Sequence, residues 1–168
     1  MTGTEGIKVG QLPSLADIAN DEAKTYRSVL SPEDGAELHK AIGLAAHGVG
    51  IGSFVYLRRV FEHLIYGRYE EFKESEGWKD EDFYRMKMDE KVQLLKGHVP
   101  DFLYENRKIY SVLSKGIHEL SEEACLAFFE PLKLSLKIML EEEKVKKEEL
   151  ALKEAASRAI AAFGTENQ

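Results

Sequence analysis

Apolar residues recur every three or four positions along most of this chain, which is the spacing of an amphipathic helix. Ser14 is a predicted N-cap, and the apolar positions after it predict a first helix over residues 15–30. Ser31 caps a second helix and Pro32 suits its first turn. A third predicted helix reaches about Ser75. No run alternates apolar and polar residues as a strand does, and no Asn-Gly or Asp-Gly hairpin turn occurs. The pattern therefore predicts an all-α bundle of five or six helices.

Glycine and proline give the expected boundaries between helices. The segment 47–53 contains three glycines, which predict either a break or a small-residue stripe where two helices approach closely. It lacks the spacing of a phosphate-binding loop. Pro100 is expected to open a helix that Gly116 ends. Because Pro131 lies inside the last apolar stripe, we expect a kink or break near Glu130.

The C-terminal stretch changes character after residue 140. Ten of the 14 residues in 141–154 are charged, and Glu–Lys pairs one turn apart support an exposed helix there. An apolar run follows, and four of its residues are candidate contacts with a partner chain: Leu152, Ala156, Ile160 and Phe163. The predicted organisation is a disordered leader over 1–13, a helical bundle over 14–140, and an extended charged helix over 141–168 for dimerisation or partner docking.

Composition narrows the classes of function. The formal net charge is −7, which disfavours binding to phosphate backbones. Cys125 is the only cysteine, so no intrachain disulfide and no cysteine-based zinc cluster can form. Residues 41–57 carry no formal charge, but their glycines and His47 favour a buried helix over a membrane span. Without a signal-peptide pattern at the amino terminus, we expect a cytoplasmic protein that is not bound to a membrane.

Local chemical motifs are incomplete. His118 and Glu119 begin like a zinc-protease motif, but position 122 is Glu where the second histidine must stand. The acids at 80–82 fall in a predicted loop, where solvated side chains are the usual arrangement. Arg58 lies one turn from Glu62, which favours a surface ion pair. No metal and no cofactor are expected.

The segment 106–140 joins the end of one helix, a short turn and a capped amphipathic helix. It resembles the C-terminal half of domains of the HEPN superfamily, which are small all-α bundles. Active members carry an Arg and, four to six residues later, a His, and use the pair as a metal-independent ribonuclease site assembled across a dimer. His118 stands where the family histidine is expected. The positions that would supply the Arg, 112–114, hold Val, Leu and Ser.

The resemblance implies two alternatives. The preferred hypothesis is a non-catalytic HEPN-like binding, regulatory or oligomerisation module, expected in a prokaryotic stress or phage-defence system and acting as a dimer. The alternative is a divergent ribonuclease. In it His118 would move the proton, Lys115 or Arg58 would stabilise the developing charge, and Asn106 would orient the site. Lys115 would then replace an Arg that grips phosphate with two parallel bonds, which is not a conservative exchange.

Overall fold

A computed structural model describes residues 25, 26 and 28–166, with side chains described up to residue 163. The predicted leader, residues 1–13, and most of the predicted first helix, residues 15–30, lie outside the described part.

The described part of the chain is all-α and ends in a long helix, as predicted, and it contains no strand. It contains seven helices: α1 (Pro32–Ala46), α2 (Gly50–Glu76), α3 (Asp80–Arg85), α4 (Met88–Leu94), α5 (Asp101–Glu105), α6 (Ile109–His118) and α7 (Glu122–Glu166).

Two segments divide more finely than the sequence pattern suggests. The acids at 80–82, expected in a loop, form the first turn of α3, where the helix dipole favours negative charge. The single helix expected to open at Pro100 is divided into α5 and α6. Asn106 follows the last residue of α5 as its C-cap and is exposed.

The core is built around α2, which packs against α1, α6 and α7. Its inward side chains are no more than 1% exposed and include Phe54, Leu57, Phe61 and Ile65. The first half of α7 supplies the facing stripe, which includes Phe129, Leu132, Leu136 and Leu140. This stripe is the one that its helical spacing predicts.

The glycines of segment 47–53 serve both of the expected purposes. Gly48 has a positive φ of 79° and turns the chain between α1 and α2. Gly50 begins α2 where α7 begins, and a Cβ there would lie 2.4 Å from the backbone oxygen of Glu122. The Glu122 carboxylate accepts hydrogen bonds from the backbone N–H groups of Gly50, at 2.5 Å, and Ile51, at 2.9 Å. One side chain therefore joins the starts of two long helices.

One predicted helix end is wrong, and a break that was one of two predicted alternatives does not occur. Gly116 does not end a helix; it lies inside α6, where a Cβ would meet the Phe54 ring at 2.1 Å. Pro131 does not break α7, which continues through it to Glu166. Pro131 lies near the start of a 45-residue helix that many other backbone bonds hold, and this outweighs the loss of one bond.

Candidate functional site

The C-terminal part of α7 becomes exposed after Glu143, although Lys147 Nζ still donates to the backbone oxygen of Ser28 at 2.5 Å. Glu143 is only 7% exposed, and its carboxylate forms an ion pair with Arg68. All residues from 145 to 163 are exposed, including Val145 at 48%, Leu152 at 70% and Ile160 at 74%. We call residues 144–166 the tail; it continues the helix for about 33 Å at a rise of ~1.5 Å per residue.

The tail turns its apolar face away from the body. Residues that pack on the body, such as Leu136, Leu140 and Glu143, share one side of α7. At about 100° per residue, that side is continued in the tail mostly by polar residues: Lys147, Glu154, Ser157 and Arg158, with Leu150 the one large apolar residue among them.

The opposite side of the tail is apolar. It carries Val145, Leu152, Ala156, Ala159 and Phe163, at roughly 160° from the core-facing side by the same rotation of ~100° per residue. Three of the four residues predicted as partner contacts, Leu152, Ala156 and Phe163, therefore lie on this side of an exposed helix, and Ile160 lies at its edge, ~80° from Leu152. Val145, at the base of this side, borders the described part of the body, and the side beyond it is exposed.

A groove lies at the base of the tail, beside the loop before α5. Its volume is about 710 Å³. Its lining combines apolar residues with charged ones: Val99, Pro100, Ile138 and Val145 are apolar, Asp101, Glu141, Glu142, Glu143 and Glu149 are acidic, and Lys146 is basic. The groove is therefore partly apolar and carries a net negative charge.

The residues of the ribonuclease alternative are not gathered in one place. His118 is the last residue of α6 and Lys115 lies one turn before it, both exposed. The Asn106 amide donates to the backbone oxygen of Phe102 at 2.9 Å, at the end of α5.

Arg58 is already engaged elsewhere. Its Nε donates to Glu62 Oε1 at 3.0 Å and to Tyr110 Oη at 2.9 Å, and its guanidinium lies 5.1 Å from the centre of the Tyr110 ring. Burial and the hydrogen bond to Glu62 raise the pKa of Tyr110 to about 12. Since Tyr110 precedes His118 by eight residues on α6, the two lie ~12 Å apart along that helix.

Sequence reasoning missed a polar cluster between α1 and α2. Asp34 is 7% exposed, and it accepts a hydrogen bond from Ser31 Oγ at 2.7 Å while its other oxygen lies 2.6 Å from His63 Nδ1. The same side of α1 carries Glu37, which pairs with Arg59 at 3.2 Å. Each carboxylate is satisfied, so the cluster fixes α1 on α2. No local sequence pattern pairs residues 29 positions apart.

The residues around the Glu37 carboxylate also shift its pKa. Burial alone would raise its pKa, but hydrogen bonds from Lys40 and Arg59 outweigh burial and hold the pKa of Glu37 below its usual value. Its charge is therefore kept inside the α1–α2 contact.

Lys91 was also missed. Its side chain is buried, at 5% exposed, with the ammonium 4.7 Å from the Tyr66 ring centre and 4.9 Å from that of Phe83. It donates to Tyr66 Oη at 3.0 Å. Aromatic faces stabilise a cation in such a site, so the buried charge is accommodated without a carboxylate and holds α4 against α2.

Within residues 25–166, no three His, Cys, Asp or Glu side chains are grouped to hold a metal ion. None of the helices in this range is both long and apolar enough to cross a bilayer. A comparison with family models finds no match. Comparisons with curated proteins and with solved structures find none either. The resemblance to HEPN domains stays a prediction from the sequence.

Proposed function

We propose that this protein is a non-catalytic, HEPN-like helical module that associates with a second copy of itself through the tail of α7. The observation that carries the proposal is the direction of the tail's apolar face. It points away from the side that packs on the body, along an exposed helix, with Leu152 at 70% and Phe163 at 72% exposed.

The energy of such an association is substantial. Burying a side chain the size of Leu, Ile or Phe contributes about 1.5–3 kcal/mol. The tail offers Val145, Leu152 and Phe163 on each copy. Six such side chains in a symmetric pair contribute about 9–18 kcal/mol when fully buried, against a cost of association of about 4–15 kcal/mol.

The non-catalytic part of the proposal has separate support. Positions 112–114 lack an arginine, and Arg58 is bound to Glu62 and Tyr110. His118 is exposed at the end of α6, with Lys115 one turn before it. A proton-transfer group is not sufficient for the ribonuclease reaction without a positioned cation that stabilises the charge developing on the phosphate.

The test of association is the mass in solution, measured by size-exclusion chromatography with light scattering over a concentration series. The wild type should have the mass of two chains. Leu152→Glu should shift the protein to one chain, because it places a charge in the apolar face. Ser157→Glu adds the same charge to the polar side of the tail and should leave the dimer intact. A wild type that stays at the mass of one chain at every concentration would refute the proposal.

The test of the non-catalytic part is an assay on structured and unstructured RNA with a chelator present. Neither wild type nor His118→Ala should cleave. Cleavage by the wild type that disappears in His118→Ala would establish the ribonuclease alternative.

A further inference from the structure

We infer that the two tails pair antiparallel, so that each copy seats the end of its tail at the groove at the base of the other's tail. This inference rests on the proposed function and specifies the geometry of the same association. The occupant of the groove is the segment 159–163 of a second copy.

The spacing of the apolar face is the first argument. Val145, Glu149, Leu152, Ala156, Ala159 and Phe163 follow one another at intervals of four, three, four, three and four residues. Alternating steps of four and three residues are those of the seam between two coiled helices, and Glu149 is the one charged residue in the series. This seam reads the same in both directions. An antiparallel partner centred on residue 154 therefore sets Val145 against Phe163 and Leu152 against Ala156.

Length is the second argument. The first exposed apolar residue after the body, Val145, and the last described one, Phe163, are 18 residues apart, which is ~27 Å of helix. In the antiparallel pair each Phe163 reaches the other copy's Val145, which is itself a wall of the groove. The overlap therefore ends where the other body begins.

Charge is the third argument. Residues 141–149 contain five acidic and three basic residues, a net charge of −2. In the antiparallel pair they lie beside the segment 159–163 of the other copy, which carries no charge, and Glu149 faces Ala159. A parallel pair would set the two negative segments side by side with Glu149 facing Glu149 in the seam, and facing like charges are destabilising.

Cross-linking distinguishes the two orientations. Cys125 is fully buried, so single cysteines can be added without removing it. Val145→Cys and Phe163→Cys are each oxidised alone and as an equal mixture, with wild type as the control. The mixture should give covalent dimer at several times the yield of either variant alone, because a disulfide needs Cβ atoms ~3.5–4.5 Å apart. A strong cross-link in each variant alone, with no increase on mixing, would overturn the antiparallel arrangement.

The groove is tested by a matched pair of variants. Val145 forms a wall of the groove and faces Phe163 of the other copy in this register, whereas Leu134, three turns earlier on α7, is 57% exposed but lies outside the groove. Val145→Glu should weaken the dimer at least tenfold and Leu134→Glu less than twofold, measured as dissociation constants by analytical ultracentrifugation. Equal effects would overturn the seating of the tail in the groove.

The failure of the inference and the failure of the proposed function give different results. A dimeric wild type whose cross-links show parallel tails would refute the antiparallel arrangement but would still support self-association through the tail. A monomeric wild type removes both.

Discussion

Gly116 offers the sharpest test of how this bundle is packed. It lies inside α6 with its Cα directed at Phe54 of α2. A Cβ built on Gly116 would lie 2.1 Å from Phe54 Cδ2 and 2.4 Å from Cε2. Phe54 itself is fully buried, so the ring has no open space into which it could move.

Two opposing terms set the effect of Gly116→Ala. Alanine is favoured over glycine in a helix interior by about 1 kcal/mol. Forcing an extra carbon into a packed core costs typically about 1–3 kcal/mol, occasionally more. The 2.1 Å approach to a buried ring places this case at the upper end. We therefore expect a net loss of about 2 kcal/mol in the free energy of unfolding.

Gly67→Ala is the matched control. Gly67 lies inside α2 and is exposed, and a Cβ there would meet nothing within 4 Å. Only the helix term remains, so this variant should gain about 1 kcal/mol. Urea unfolding followed by circular dichroism at 222 nm should therefore separate the two alanine variants by about 3 kcal/mol.

Either of two results would refute this reasoning. A Gly116→Ala variant as stable as Gly67→Ala would mean that α6 and α2 are not in close contact at this position. Failure of Phe54→Leu to recover part of the loss in the double variant would mean that the ring is not the group that the new methyl meets.

Two further predictions concern other buried contacts. Burial and a hydrogen bond to Asp80 raise the pKa of Tyr69 from 10.0 to about 12; because the folded pKa lies above the unfolded one, this stability is present below pH 10 and falls as the pH rises towards 12. Urea midpoints across that range should fall less in Tyr69→Phe, and an equal fall would contradict the assignment. Glu122→Ala removes the acceptor for two N–H groups at the start of α2 and should cost about 1–2 kcal/mol, whereas Glu148→Ala on the exposed tail should change the same urea midpoint little. A Glu122 variant with wild-type stability would show that water caps α2 equally well.

The helical spacing of apolar residues was sufficient to predict the all-α architecture and the buried side of most of the helices. The apolar stripes on α2 and α7 are long, and all of their residues recur at the helical spacing that places them on the same side of the helix. The charged tail followed from the same pattern, because its Glu–Lys pairs favour a helix without needing a core. These features depend on residues close together along the chain.

The errors arose where a residue far away in sequence decides the outcome. Gly116 has the local properties of a helix end, and only Phe54, 62 positions earlier, gives it a place inside α6. The partners of His63 and of Lys91 come from other helices in the same way. Pro131 has the local properties of a helix breaker, but it lies in a helix that packs along the body on both sides of it.

The continuity of α7 also determines the direction in which the apolar side of the tail faces. No glycine or proline occurs from residue 132 to residue 163, so the helix has no point at which the tail could bend back and bury its own apolar face. A single straight helix must keep its two apolar sides at the angle that its sequence fixes, here roughly half a turn apart. One side is satisfied by the body of the same chain. The other side can be covered only by residues that do not follow on this helix, and a second, identical tail carries a matching seam of the same length. A glycine pair inserted near residue 144 should therefore weaken self-association, because a hinge there lets the tail fold back along its own groove.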